Sequence, residues 1–424
     1  MRKESGIFSN LDWITVLVYS ILVIWGWVNI YASVYDSETA SSIFDLSINS
    51  GKQLLWIGTA VVLIIIILIV DFRVYESFAP ILYVLFVVLL AVVLVFGVKI
   101  NGARAWFQFG SFRLQPAEFA KFATALMLAK FVSGNNIKLS TFKDQLRSVL
   151  ILGLPIGLIL MQPDAGSAMV FLCLLIPLYR EGFPPFYITL GLSLATILIL
   201  TYLVQSTFLI LGIIGLAGIF IFFVRKARKK IYSVVFVGVT CIGIVFGADY
   251  VFNDVLKDYQ RSRVDVILKP STVNKQAEGW NLEQSKIAIG SGGFAGKGFL
   301  KGTQTKFGYV PEQSTDFIFS TLAEERGWLG SLSLVGLFLF LLFRIVHLAE
   351  RQKHKFARMY GYSVAAIIFF HFTVNIAMTI GLFPVIGIPL PFFSYGGSSL
   401  WSFTIMLFVL LKIDMHRSQV LMRS

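Results

Sequence analysis

The chain has 424 residues, 57% of them hydrophobic, 15% aromatic and only 14% charged, with a net charge of +13. Soluble domains carry about 25% charged residues, so this composition excludes an ordinary soluble enzyme and points to a bilayer. An excess of base that would suggest nucleic acid in a soluble chain has to be read here by its position along the sequence.

Apolar runs recur from one end to the other, at roughly 12–33, 52–70, 78–98, 116–133, 147–161, 165–180, 186–204, 207–224, 231–250, 316–346, 358–380 and 393–412. A bilayer core needs about 20 such residues per helix, so the expected fold is all-α, a polytopic transmembrane helical protein of about 10–12 spans. It reads as a single membrane domain over 1–424 with one long extracytoplasmic loop over 251–315. The first run follows Arg2 and Lys3 as in a signal peptide, but it is too long and lacks a small-residue cleavage site, so it is expected to stay as an anchor. Cys173 and Cys241 lie far apart inside apolar runs and offer neither a disulfide framework nor metal-ligand spacing.

With the N-terminus inside, every second connection is basic: Arg2 and Lys3, Arg73, Lys130 to Arg147, Arg180, Arg225 to Lys230, Arg344 to Arg358, and the tail with Lys412, Arg417 and Arg423. That is the positive-inside pattern, and it puts both termini in the cytoplasm. The loop after Tyr250 breaks the pattern with Lys257, Arg261, Arg263, Lys269, Lys275, Lys286, Lys297, Lys301 and Lys306. Long loops escape the charge rule. A basic external loop suits an anionic substrate such as a lipid pyrophosphate; the plainer reading is a solvated loop.

Four features stand out along the runs. Glu118 and Lys121 share one helix face at i,i+3. Each alone would cost about 2.5–3.5 kcal/mol at the centre of a span, so they read either as a polar element lining a cavity or as a structural ion pair near the interface. Gln162-Pro163-Asp164 separates two short runs that are expected to be broken or re-entrant, with Asp164 either capping the next helix or binding a ligand. Gly290 to Gly298, with Lys297, can form a nest of backbone N–H groups around phosphate, although it is not a Walker A sequence. Gly327 is placed to split the overlong run 316–346, and Gly381 to Ser399, rich in Pro and Gly, reads as a re-entrant or capping loop.

Jointly, four blocks resemble the SEDS family (shape, elongation, division and sporulation), most closely its RodA branch. They are Gly102-Ala-Arg-Ala-Trp106 with Arg113 to Lys121; Gln162 to Gly166; Gln284 to Gly293 running into Gly302 to Thr305 and Pro311 to Phe319; and Asn375 to Ser399. The resemblance implies a peptidoglycan glycosyltransferase of the bacterial inner membrane that polymerises lipid II, the undecaprenyl-pyrophosphate-linked disaccharide peptide, at the outer face. It implies a class B penicillin-binding protein as partner within the elongation complex, and no nucleic acid. A divalent cation, Mg or Mn, would be in keeping with pyrophosphate chemistry. FtsW-like division polymerase, non-catalytic scaffold for a penicillin-binding protein, and lipid II flippase are the competing readings. A flippase should show inverted repeats, and none is evident.

Two departures matter. Three apolar runs over 186–250 stand where the family has one, and an added pair keeps the orientation of the later spans. The family's acid-bearing stretch before the Gln-Ser-Lys block reads Val273 to Trp280 here, with Asn274 at the acid's place. An amide cannot accept the proton of a sugar hydroxyl, so either Glu278 supplies the carboxylate from a reshaped loop, or Asp316 or another loop acid does, or activity is lost. Arg104, Arg113 and Lys297 are the expected pyrophosphate contacts, and Glu118, Lys121, Asp164 and Asp316 the residues that shape the cavity.

Overall fold

The computed structural model describes residues 10–35, 42–100, 102–110, 112–224, 228–250, 279–306 and 308–417. They fall into two compact units, residues 1–183 with 281–424, and residues 184–280. The first unit begins with α1 (Trp13–Val34), α2 (Asn49–Ile69), α3 (Phe72–Phe96) and a small sheet of β1 (Val98–Ile100), β2 (Ala103–Phe109) and β3 (Phe112–Leu114). It continues through α4 (Pro116–Val132), α5 (Phe142–Met161), α6 (Ala165–Leu172) and α7 (Leu175–Arg180). The second unit holds α8 (Pro185–Leu203), α9 (Ser206–Val224) and α10 (Arg228–Tyr250). The chain then forms α11 (Trp280–Ser291), α12 (Ile318–Glu350), α13 (Lys355–Thr379) and α14 (Gly397–Met415).

Among the described residues nine helices, α1, α2, α3, α5, α9, α10, α12, α13 and α14, are long and apolar enough to cross a bilayer, and the chain is a multi-pass membrane protein. α4 is shorter, at 17 residues, and carries Glu118, Lys121 and Lys130. The expected run 165–180 is divided between α6 and α7, and the overlong run bends at Gly327, whose φ of 63° and ψ of −156° leave the helical region. Residues 251–278 of the expected external loop lie outside the described residues.

The three-stranded antiparallel sheet is an addition to the all-helical expectation. Gly102 (φ +89°) and Gly110 (φ +61°) supply the left-handed positions that two-residue hairpin turns demand, so Ile100 pairs with Ala103 and Phe109 with Phe112.

α4 sits at the centre of the first unit, packed by α3, α13 and α14. Ala117, Ala120, Ala123, Ala125 and Ala129 are all buried on it, and small side chains let membrane helices approach closely. The unit's two ends differ. One is fastened by ion pairs: Asp12–Arg344, Glu76–Lys130, Arg180–Glu350, Glu181–Arg358 and Arg351–Asp414. These residues belong to the basic connections that alternate along the sequence. The other end carries the sheet, the start of α6 and the connection between α13 and α14, tied mostly by hydrogen bonds to backbone carbonyls.

In the second unit α8, α9 and α10 pack on one another. Thr189, Ser193 and Thr196 each donate to a carbonyl three or four residues earlier, which is how an apolar helix carries a hydroxyl.

Candidate functional site

Pro116 opens α4 at a position where its missing N–H costs nothing, and Glu118 follows in the first turn, where the helix dipole favours an anion. Lys121 then reaches back to Glu118 Oε1 at 2.9 Å, with both side chains almost fully buried. A third member comes from α13: Lys121 Nζ lies 2.8 Å from Nε2 of His371. The other ring nitrogen, Nδ1, lies 3.1 Å from the carbonyl of Pro389. The arrangement requires a neutral ring, protonated at Nδ1, that donates to Pro389 and accepts from Lys121. The ammonium also lies 4.9 Å from the Phe403 ring centroid, and Ser402 donates to the Glu118 carbonyl at 2.6 Å.

Asp164 caps α6, accepting from the Ser167 amide at 3.0 Å and from its hydroxyl at 2.8 Å. Gln115, just before α4, donates to the same carboxylate at 3.0 Å. Ser398 at the start of α14 closes the group, accepting from the Gln115 amide and donating to the Arg113 carbonyl, each at 3.2 Å. The Arg104 amide donates to the Gln162 carbonyl at 3.2 Å. Arg104, Arg113 and Asp164 therefore gather at one end, with both arginine side chains exposed. Burial raises the Tyr395 phenol above its usual range, against a hydrogen bond with Trp56 and the charge of Arg113.

The connection 380–396 joins these groups. Gly166 approaches the Ile386 carbonyl so closely that a Cβ there would lie 2.1 Å from it. Asn375, on α13, donates from one nitrogen to the carbonyls of Asp316 (2.9 Å) and Ile388 (2.8 Å). A Cβ at Gly387 would lie 3.3 Å from the Asp316 carboxylate. Ser394 donates to the Thr315 carbonyl at 2.7 Å, and the Tyr395 amide to that of Ser314 at 2.9 Å. One irregular segment thus touches the cap of α6, the flank of Asp316 and, through Pro389, the buried triad. Irregular backbone at membrane depth is tolerated where protein surrounds it, and here its polar groups are taken up in turn.

The glycine-rich segment has a different role from the expected phosphate nest. Its glycines permit backbone contact with the bend in α12: a Cβ at Gly292 would meet the Ala323 carbonyl at 2.0 Å, and one at Gly296 that of Glu325 at 2.1 Å. The amides of Lys297 and Gly298 donate to the Glu324 and Glu325 carbonyls (3.0 and 2.9 Å), so they are not turned toward a ligand. Lys297 itself is held by Glu324 at 2.7 Å. That carboxylate also accepts from the amides of Thr303, Gln304 and Thr305 and from the two threonine hydroxyls.

Of the residues expected from sequence, Asp316 flanks the 380–396 segment, Arg113 stands near its Tyr395, Asp164 caps the helix whose Gly166 abuts it, and Arg104 joins the same end through the Gln162 carbonyl; Glu118 and Lys121 connect to the segment through His371. Lys297 belongs instead to the Glu324 cage. Glu278 and Asn274 lie outside the described residues. His371, Gln115, Ser398 and Glu324 were not anticipated. A histidine inside an apolar run was the available signal for the first, since ionisable side chains within spans mark functional positions.

A family model described as cell cycle protein, covering FtsW, RodA and SpoVE, matches residues 12–211 and 183–419. The peptidoglycan glycosyltransferase RodA of Treponema pallidum is 33% identical over 429 residues, spanning 96% of this chain and 98% of the relative. A solved chain of a peptidoglycan synthase complex, in which polymerization and crosslinking are coordinated, superposes with a TM-score of 0.70 at 28% identity, covering 96% of this chain and 99% of the other. The rod shape determining protein RodA of Thermus thermophilus superposes with a TM-score of 0.63 at 25% identity over 96% of this chain and 97% of its own.

Proposed function

The chain belongs to the FtsW, RodA and SpoVE family of cell cycle proteins, and on that premise we propose that it polymerises lipid II into glycan strands during cell elongation. It is a peptidoglycan glycosyltransferase of the RodA type, and its likeness to such enzymes extends over nearly the whole chain. The observation that carries the mechanism is the gathering of Arg104, Arg113, Asp164 and Asp316 at one end of the first unit: the 380–396 segment packs on Gly166 and Asp316, Ser398 holds the Arg113 carbonyl, and Arg104 is tied to the Gln162 carbonyl.

The reaction is an inverting displacement. The acceptor's 4-hydroxyl attacks the donor's anomeric carbon, the bond to the undecaprenyl pyrophosphate breaks, and a carboxylate takes the hydroxyl proton in the transition state. The exposed guanidinium groups of Arg104 and Arg113 meet the charge that builds on the departing pyrophosphate. Asp164, locked by Ser167 and Gln115, keeps the start of α6 in place beside them. Glu278 is the proposed base and Asp316 its substitute. A divalent cation, Mg or Mn, would offset the same charge on the pyrophosphate; among the described residues no group of three or more His, Cys, Asp or Glu side chains is placed to hold one.

The reading places the enzyme in the bacterial inner membrane with both termini cytoplasmic and the sheet end outward. It works with a class B penicillin-binding protein in the elongation complex. The test is lipid II polymerisation by the purified protein with that partner, comparing wild type with Glu278→Gln. Long glycan from wild type and little from the variant supports polymerase and base together. Equal glycan from both keeps the polymerase and moves the base to Asp316. No glycan from either, in a preparation that binds its partner, favours the scaffold reading that Asn274 suggests.

A further inference from the structure

At the ion-paired end of the first unit, a cavity of about 260 Å³ lies between the end of α4, the turn into α5, the end of α7 and the start of α13. Clefts and cavities that take whole small molecules run from about 300 to 1,000 Å³, so this one, open to the surface, suits a headgroup. Its apolar wall is Val132, Ile137 and Leu139, and its polar lining includes Lys138, Lys355 and Glu181.

The charges in this lining do not balance. Glu181 is taken by Arg358, whose Nε and Nη2 donate to its two oxygens at 2.7 and 2.8 Å. Lys130, Arg147 and Arg180, on the same helix ends, are paired with Glu76, Asp144 and Glu350. Lys138 and Lys355 are exposed, and neither ammonium has a hydrogen-bond or ion-pair partner among the described residues. Lys355 also stands in the first turn of α13, which holds no acid and has no side-chain cap. A cation there adds to the positive end of the helix dipole. Two lysines and a helix start thus point one sign of charge at a cavity with an apolar wall, at the depth where spans end.

We propose that this cavity binds the phosphate of an anionic phospholipid, with Lys138 and Lys355 as its cations and Val132, Ile137 and Leu139 against the glycerol and first methylenes. Basic pockets between spans hold acidic headgroups by this combination of charge and apolar contact. The site lies at the end opposite the sheet and the 380–396 segment, and it has no part in the glycosyl transfer. The same chemistry would accept free phosphate, so the test must separate the two.

The full chain, purified in a neutral detergent, is titrated with phosphatidylglycerol, with phosphatidylcholine and with inorganic phosphate, and bound lipid is counted by native mass spectrometry. The proposal expects phosphatidylglycerol to be held in preference to phosphatidylcholine. It expects Lys138→Gln/Lys355→Gln to weaken that preference about thirtyfold, from roughly 1 kcal/mol per lysine at a membrane surface. Lys130→Gln/Arg147→Gln removes two charges from the same end and should leave retention unchanged. Thermal unfolding of both double variants reports whether they are folded. Equal retention by wild type and the Lys138/Lys355 variant overturns the proposal. So does equal loss in both double variants, and so does binding of inorganic phosphate without phospholipid.

Discussion

The Lys121 ammonium lies 2.8 Å from Nε2 of His371, a residue 250 positions further along the chain. The contact turns an ion pair within one helix into a junction between α4, α13 and the connection that follows α13. Glu118→Ala leaves Lys121 buried without a counter-charge and should cost about 3–5 kcal/mol. His371→Leu should cost about 1–3 kcal/mol by leaving buried polar groups unpaired. His371→Gln can accept from Lys121 and donate to Pro389, and should recover most of the loss. Thermal unfolding in detergent, beside glycan yield, checks all three. A Gln variant as unstable as the Leu variant would show that the hydrogen bonds are not what matters there.

Asp164 both caps α6 and carries a charge near Arg104 and Arg113, and two substitutions separate these roles. Asn keeps an oxygen for the Ser167 amide and loses the acceptor used by Gln115, so Asp164→Asn should unfold between wild type and Asp164→Ala, which loses the cap as well and about 1 kcal/mol with it. If the charge serves the reaction, the Asn variant is folded and polymerises poorly. An Asn variant with full glycan yield would reduce Asp164 to a cap.

Gly166→Ala forces a methyl to within 2.1 Å of the Ile386 carbonyl. A backbone shift of that kind should cost about 1–3 kcal/mol, and it should lower glycan yield because the 380–396 segment moves with it. Gly153, inside α5, faces open space. Gly153→Ala should leave stability equal or raised by about 0.4–1 kcal/mol. Similar unfolding temperatures for the two variants would be incompatible with the close approach at Gly166.

Glu324→Gln removes half of an acceptor that satisfies three backbone amides, two hydroxyls and Lys297. With buried donors left open, about 1–3 kcal/mol of local stability is lost, and the amides of Thr303, Gln304 and Thr305 should exchange hydrogen roughly tenfold faster or more. Exchange followed by mass spectrometry reads this directly, and unchanged protection would mean that the amides have other acceptors.

The spans were legible because lipid demands a length and a composition that few other structures need, and the i,i+3 spacing alone put Glu118 beside Lys121. His371 was not legible as their partner. No local rule links residues 250 apart, and the packing of α13 on α4 decides it. The sheet was hidden for a different reason: its first strand continues the apolar run of α3, so nothing in that run marks the turn at Gly102. The glycine-rich segment misled most. A run of glycines states that backbone comes close to something, and sequence does not say whether that is phosphate or another stretch of chain. Here it is the bend of α12.

That bend leaves a mark on the rest of the segment. Gly327 breaks the ladder of α12, so the amides of Trp328 and Leu329 find acceptors outside their helix, in the Gly293 and Phe294 carbonyls at 2.9 and 3.2 Å. In return, the Glu324 and Glu325 carbonyls receive the amides of Lys297 and Gly298. The segment serves as a surrogate turn, completing from outside a helix that its own sequence interrupts. A buried peptide group left unpaired costs about 1–3 kcal/mol, so inserting or deleting a residue between Gly292 and Gly298 would unsettle both halves of α12 at once. The length of this segment is therefore set by the helix it completes.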